Sequence, residues 1–506
     1  VEHFATTVAL AGIVIIVASL LSGAVERTGL PLVAIFLALG AALGPAGLGL
    51  ADFRLDSPVL QTLATLALAL VLFSDAVTIE TSEVRAHRRL VLRMVGPGTL
   101  VPAVVMAFAA WLLLDIPAAA AAILGAALAS TDPVLLRTVL RSRALPASAR
   151  VALRLETGMN DVVLLPIVVI AMLVLAAGAR GVPFTGRELG HAIVGLFLLG
   201  PALGAFVGWL GITALVRIRG SIGVRRDYES LYALGLAFTG FAAAEAVGGS
   251  GFLAAFAAGF MVAAQDVELC DCFLEYGEAT AEMLLLLTFV AFGTSLIWTG
   301  ITVADLPTLL FAAIALTVRT LVLFPVLRGL GLDYRARKLI ALFGPRGLSS
   351  LLLVLLPVFA GIPGAERLFM ITCLVVLLSV LLHGTGIALF MRTAGRAAEQ
   401  VAGIGPRVAE TRGEAHISIS KPAIIQPARR VPPASDPPPE KITIGEVGAL
   451  LLRGEPMTII DARADRSHRA DDIQAKGAVR LDPNDPVRSA SALRLSQHGT
   501  LVIYCA

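Results

Sequence analysis

The chain has 506 residues, of which 57% are hydrophobic and only 15% charged, and its mean hydropathy is +0.85. That balance excludes an ordinary soluble globular domain and marks a polytopic membrane protein. A net charge of +3 is too small to argue for nucleic acid, and four scattered cysteines, Cys270, Cys272, Cys373 and Cys505, give neither a disulfide framework nor a zinc site.

Taken in chain order, apolar runs near the roughly 20-residue length that a bilayer requires predict about thirteen transmembrane helices. They lie at 4–25, 30–50, 59–79, 94–114, 117–140, 151–177, 188–216, 229–248, 250–265, 279–299, 304–328, 335–360 and 366–391. The first run resembles a signal peptide, but many of the same kind follow it, so it counts as a span. Basic residues set the orientation: Arg85, Arg88, Arg89 and Arg93 follow the third span, Arg141, Arg143 and Arg150 the fifth, Arg217, Arg219, Arg225 and Arg226 the seventh, and Arg335, Arg337 and Lys338 the eleventh. Loops after even-numbered spans hold few, such as Arg54 and Arg367. The positive-inside bias puts the N-terminus outside the cell membrane and everything after the thirteenth span in the cytoplasm. The acidic stretch DVELCDCFLEYGE after the ninth span runs against this bias, to which acidic residues contribute little.

Two carboxylates lie inside these apolar stretches, Asp132 in ALASTDPVLL and Asp161 in ETGMNDVVLLP. An acid in that position is costly and marks an ion or proton site. Thr157 and Asp161 stand four apart on one helix face, Glu156 and Asn160 four apart on the adjacent stripe, and Asp132 precedes a proline. Taking spans 1–6 and 8–13 as two repeats with one spacer, the fifth member of each is interrupted, by Thr131-Asp132-Pro133 and by Gly344-Pro345-Arg346-Gly347. A residue before proline is pushed out of the helical region and proline donates no hydrogen bond, so both the fifth and the twelfth helices are expected to break near the midplane. Broken backbone there is tolerated where it lines a cavity, and interrupted helices in corresponding positions of two inverted halves point to a secondary-transporter site.

These motifs, together with Leu72-Phe73-Ser74-Asp75 at the end of the third span, carry a resemblance. Across residues 4–392 the chain resembles the monovalent cation/proton antiporter superfamily, on the sodium/proton exchanger branch. The resemblance implies an all-α membrane fold of two inverted six-helix repeats, and a transporter rather than an enzyme, needing no cofactor. Thr157 stands where a serine is usual and Asp75 where a glutamate is common, and both replacements keep an oxygen ligand.

The residue chemistry fits that implication. Alkali cations are hard and bind oxygen, so carboxylates, hydroxyls and freed carbonyls suit them. A buried Asp161 favours its proton while a nearby cation favours its ionised form, so the two compete for one group. Asp132 and Thr131 at the unwound segment, Thr157 and Asp75 complete the expected shell, with the cation at Asp132, Asp161 and Thr157. The expected partners are sodium first, with potassium or lithium as alternatives, protons, the bilayer and a second copy in a homodimer. In the resembling family an Asn-Asp dyad, here Asn160-Asp161, goes with electroneutral exchange. Glu156, about 100° around the helix from Asp161, is expected to form a buried ion pair with Arg346. Arg319 with Glu282 is a second candidate pair, more structural than functional, and His383 reads as an interfacial residue.

After Arg392 the composition changes. Residues 393–440 are proline-rich and read as a semi-rigid cytoplasmic linker. Residues 441–506 alternate short β-rich runs with a helical run, an α/β pattern, and resemble the first part of a rhodanese-like domain. Strand residues Asp461-Ala462-Arg463 and a strand leading to Cys505 carry that resemblance, which implies Cys505 as the nucleophile. The loop of amides that activates such a thiolate is not in the sequence, so the chain as given is expected to be inactive in sulfur transfer. A membrane-anchored sulfurtransferase or a carrier of sulfur anions is the competing reading. An anion site calls for arginines or helix N-termini, not for Asp75, Asp132 and Asp161 together.

Overall fold

A computed structural model describes residues 32–403 apart from 51, 80, 133–134, 137–138, 141, 143–144, 182–183, 223–225 and 266–270, with 12–13, 15–17 and 20 before them and 447, 457–462, 475, 477–481, 489–490, 493 and 500–504 after them. The chain divides into two compact units, Val1–Arg407 and Val408–Ala506.

The first unit is helical. Its main elements are α1 (Leu32–Leu43), α2 (Pro58–Val77), α3 (Pro97–Leu113), α4 (Ala118–Ala129), α5 (Ala147–Ala179), α6 (Gly200–Ser221), α7 (Arg226–Ala246), α8 (Gly251–Ala264), α9 (Asp271–Thr294), α10 (Leu306–Val326), α11 (Tyr334–Leu342), α12 (Leu348–Phe359) and α13 (Ala365–Gly403). Local sequence sets several ends. Proline opens α2 and α3, where an amide hydrogen is not needed. Asp305 accepts from the amide of Thr308 at 2.9 Å to cap α10, and the Thr308 hydroxyl and amide hold its carboxyl below the usual range. Ahead of α6 a π-helical turn, Val194–Leu199, lets the Gly195 carbonyl accept from the Ser250 amide at 3.2 Å.

Among the described residues six helices are long and apolar enough to cross a bilayer, and Ala279–Thr294 with Leu296–Thr302 makes a seventh if that pair, bent by 58°, is one span. Five further apolar helices are shorter, among them α4 and α12. The thirteen expected spans are therefore not all full-length helices, and the first lies largely outside the described residues. Two of them unwind part-way: the 117–140 span is non-helical at 130–132, between α4 and the helical residues 135–136 and 139–140, and the 335–360 span is divided between α11 and α12. The last span also runs farther than expected, α13 continuing to Gly403, past the start assigned to the linker.

Close helix contact rests on small residues. Gly200, Gly204 and Gly208 of α6 face Ser250, Ala254 and Ala258, and Gly40 of α1 faces Gly293 of α9. Backbones approach this closely in a membrane because packing, not water exclusion, joins the helices. Phe289, Phe292 and Phe369 fill the interior, with the rings of Phe292 and Phe369 5.9 Å apart. Phe197, Leu198, Phe206 and Trp209 point outward, as suits a surface bathed in lipid.

In the second unit β1 (Met457–Asp461) is central in a parallel three-stranded sheet, flanked by β2 (Val479–Arg480) and β3 (Thr500–Tyr504). Asp461 is buried with Arg480 at 3.6 Å. Cys505 and residues 404–440 of the linker lie outside the described residues.

A Cβ at Gly204 would collide with the carbonyl oxygen of Ala254. Gly204→Val is therefore expected to lower the thermal stability of the detergent-solubilised protein by about 1–3 kcal/mol through overpacking. An unchanged melting temperature would show that α6 and α8 are free to separate.

Candidate functional site

The two unwound segments cross and bind each other. At the end of α4 the chain leaves the helix at Ser130 and stays non-helical through Asp132, while residues 343–347 are non-helical between α11 and α12. The Asp132 amide donates to the Pro345 carbonyl at 3.0 Å. Its carboxylate Oδ2 accepts from the Leu348 amide at 2.8 Å, so Asp132 caps the first turn of α12 and faces that helix's positive end. Arg346 does the reverse: its Nη1 donates to the carbonyls of Ala129 and Ser130 at 3.0 and 3.1 Å, at the negative end of α4. The Arg346 amide donates to Ser379 Oγ at 2.7 Å, and Ser379 Oγ lies 3.1 Å from His383 Nδ1, tying the second break to α13.

The glycines of this motif have separate reasons. A Cβ on Gly347 would land on the Asp132 carboxylate, and one on Gly344 would land on the Arg319 guanidinium. Neither position carries a positive φ, so the requirement is room and not backbone conformation.

Helix α5 brings its dyad against the first crossing segment. Asn160 Nδ2 donates to Thr131 Oγ1 at 2.8 Å, and Ser130 Oγ donates to Asp161 Oδ1. Ser349, in the first turn of α12, faces the same carboxylate, and Asp132 is close enough to repel it. Ser130, Thr131, Asp132, Asn160 and Asp161 are all buried. Among the described residues Asn160 Oδ1 and Ser350 Oγ are buried with no protein partner. Thr157 is buried on the same helix, but its hydroxyl donates back to Leu153 and Arg154 at 3.0 and 3.1 Å, leaving its lone pairs. Asp75, half-buried at the end of α2, has its carbonyl 3.8 Å from where a Cβ of Gly158 would stand, so α2 meets α5 between Thr157 and Asp161. The arrangement offers carboxylate, hydroxyl and amide oxygens in a place with little water, which suits a dehydrated hard cation or a proton.

The expected partner of Glu156 is corrected. Glu156 pairs with Arg319 and not with Arg346: Nε donates to Oε1 at 2.9 Å and Nη2 to Oε2 at 2.6 Å, both residues being buried. Arg319 Nη1 also donates to the carbonyls of Ile340 and Ala341 at the end of α11. One guanidinium thus joins α5, α10 and α11, and Arg319 is not the partner of Glu282 that its position in a neighbouring span suggested. Helix periodicity gave Glu156 a face but not a distance, and Nη1 of Arg346 is bound to the broken end of α4. Ser130 and Ser349 belong to the same site but carry no signal in the sequence, being isolated serines. The one available hint was that Ser130 adjoins the Thr-Asp-Pro break.

Residues 13–393 match the family described as "Sodium/hydrogen exchanger, transmembrane". The chain belongs to that family. Its members are transporters, not enzymes, and the chain is a multi-pass membrane protein. It is similar to the K(+)/H(+) antiporter NhaP2 of Shewanella sp. (strain ANA-3), 28% identical over 387 residues that cover 75% of this chain and 65% of that one. It is also similar to the K(+)/H(+) antiporter NhaP of Alkalimonas amylolytica, 25% identical over 376 residues that cover 74% and 63%. The chain therefore spans 65% and 63% of the length of these curated relatives. The sodium proton antiporter MjNhaP1 from Methanocaldococcus jannaschii, in a structure at pH 8, shares the fold with a TM-score of 0.61 at 19% identity, covering 76% of this chain and 99% of that one.

Glu156→Gln or Arg319→Gln alone is expected to destabilise this exchanger-family protein by about 3–5 kcal/mol, by stranding a buried charge, and the double variant to recover much of the loss. Detergent unfolding in a double-mutant cycle measures this, and strictly additive losses would mean that the pair does not couple.

Proposed function

We propose that this protein is a secondary antiporter that exchanges a monovalent cation for a proton, with Asp161 as the group for which the two compete. The observation that carries this reading is a buried Asp161 set against a second buried acid, Asp132, where two broken helices cross. Asp132 is held on the first amide of α12, whereas Asp161 is buried beside it and repelled by its charge. Of the two acids, Asp161 is thus the one whose proton a cation displaces. Thr131, Thr157, Asp132 and Asp75 contribute oxygens to the cation from their places around it.

The cation is sodium or potassium. Sodium is the first expectation from the sequence, the relatives are named for potassium, and the structural neighbour is named for sodium. The crossing of α4 and α12 supports an arrangement of two inverted six-helix repeats, in which each half supplies one broken helix. Loop arginines support an outside N-terminus and a cytoplasmic C-terminal unit. A membrane-anchored sulfurtransferase draws no support from the family matched.

In proteoliposomes Asp161→Asn is expected to insert normally and to lose cation-driven proton flux down to the level of protein-free vesicles. Near wild-type flux in that variant, for sodium and potassium alike, would overturn the assignment. Exchange is further expected to be electroneutral, because Asn160 beside Asp161 has no proton to carry. One cation for one proton moves no charge, so a potassium–valinomycin potential of either sign leaves the sodium/proton rate unchanged. A transport current that reverses with the ion gradient on a solid-supported membrane would refute this stoichiometry.

A further inference from the structure

Ser130 meets the Asp161 carboxylate directly, as donor to Oδ1, from the unwound end of α4. It is fully buried, and the contacts around it fix its backbone. Its carbonyl accepts from Arg346 Nη1 at 3.1 Å, Thr131 Oγ1 is taken by Asn160 Nδ2 at 2.8 Å, and the Asp132 amide is bound to the Pro345 carbonyl at 3.0 Å. What these contacts leave free is rotation of the Ser130 hydroxyl. A hydroxyl carries one donor and two acceptor lone pairs. It can donate to an ionised Asp161, accept from a protonated one, and turn an oxygen lone pair to a hard cation bound beside it. A group with a donor alone or an acceptor alone would be left unpaired, and buried, in at least one of these states.

On the reading of Asp161 as the exchange site, we infer that Ser130 is a further cation-binding residue: it steadies the ionised carboxylate in the empty state and adds its Oγ to the shell of the arriving sodium or potassium ion. Among the described residues, the groups facing Asp161 are the Asp132 carboxylate and the hydroxyls of Ser130 and Ser349. The Asp132 charge is engaged by the Leu348 amide, so it cannot swing to follow Asp161 through its states. The hydroxyl of Ser130 can, because only its Oγ is uncommitted to the crossing.

The test uses the full chain in proteoliposomes, with KM for sodium and for potassium and the pH–rate profile measured for wild type, Ser130→Ala, Ser130→Cys and Ser130→Thr. Asp161→Asn is the reference. Alanine removes the hydroxyl, and cysteine keeps the volume while exchanging a hard oxygen for soft sulfur. Both are expected to raise KM for the transported cation about tenfold, the size of one charge-assisted hydrogen bond. Both should also move the acid limb of the profile to higher pH by about one unit, because the ionised carboxylate loses its donor. Threonine restores both toward wild type. Should Ser130→Ala fail to fold, Ser130→Cys carries the same reading at constant volume. Wild-type KM and acid limb in the hydroxyl-free variants, or a lowered maximal rate with both unchanged, overturn the inference while Asp161→Asn stays inactive. Activity in Asp161→Asn instead overturns the exchange reading beneath it.

Discussion

Two stretches of unwound backbone inside a membrane can coexist only if their free amides and carbonyls find partners, because hydrocarbon offers none. Here each break supplies what the other lacks. Asp132 leaves the end of α4 and receives the first amide of α12, while Arg346 precedes α12 and caps the last carbonyls of α4. A negative group at a helix N-terminus and a positive one at a helix C-terminus both gain from the helix dipoles, so the exchange of charges stabilises the crossing twice. The Asp132 to Pro345 backbone bond then fixes the register between the two segments. Everything chemical in the site hangs from that crossing, since Ser130 and Thr131 are the residues it presents to α5.

Helix α5 separates architecture from chemistry by rotation alone. Glu156 is turned toward α10, where Arg319 grips it with two nitrogens and also closes the end of α11. Asn160 and Asp161 are turned toward the unwound segment. A buried pair of this kind contributes little net stability compared with an apolar contact, but losing one partner is costly. Its value lies in fixing α5 about its own axis, which sets where Asp161 stands relative to Ser130 and Asp132. The glycines complete the same constraint: Gly344 makes room for Arg319 and Gly347 for Asp132, so the two charged systems share one short segment without collision.

The C-terminal unit has a different physical basis. Its described strands form a parallel sheet with β1 in the centre, and parallel pairing requires long connections such as the one between Asp461 and Val479. Asp461 is buried at the end of that central strand and meets Arg480 on the neighbouring one, which accounts for an acid at a buried strand end.

Much of this was legible in the residues themselves. Apolar length and composition mark a membrane protein, and proline with glycine locates both breaks, because those effects are local to a few residues. Asp132 and Asp161 stand out for the same reason, being charges in surroundings that penalise charge. What the sequence by itself could not determine was pairing across space. Glu156 had several arginines to choose from, and its partner Arg319 lies 163 positions away. The choice fell to tertiary structure, because Arg346 was already bound to the end of α4. Ser130 and Ser349 are common residue types in common settings, with nothing in the chain to distinguish them from packing serines. Periodicity tells which face a side chain takes, whereas the identity of what it meets depends on how helices far apart in sequence are brought together.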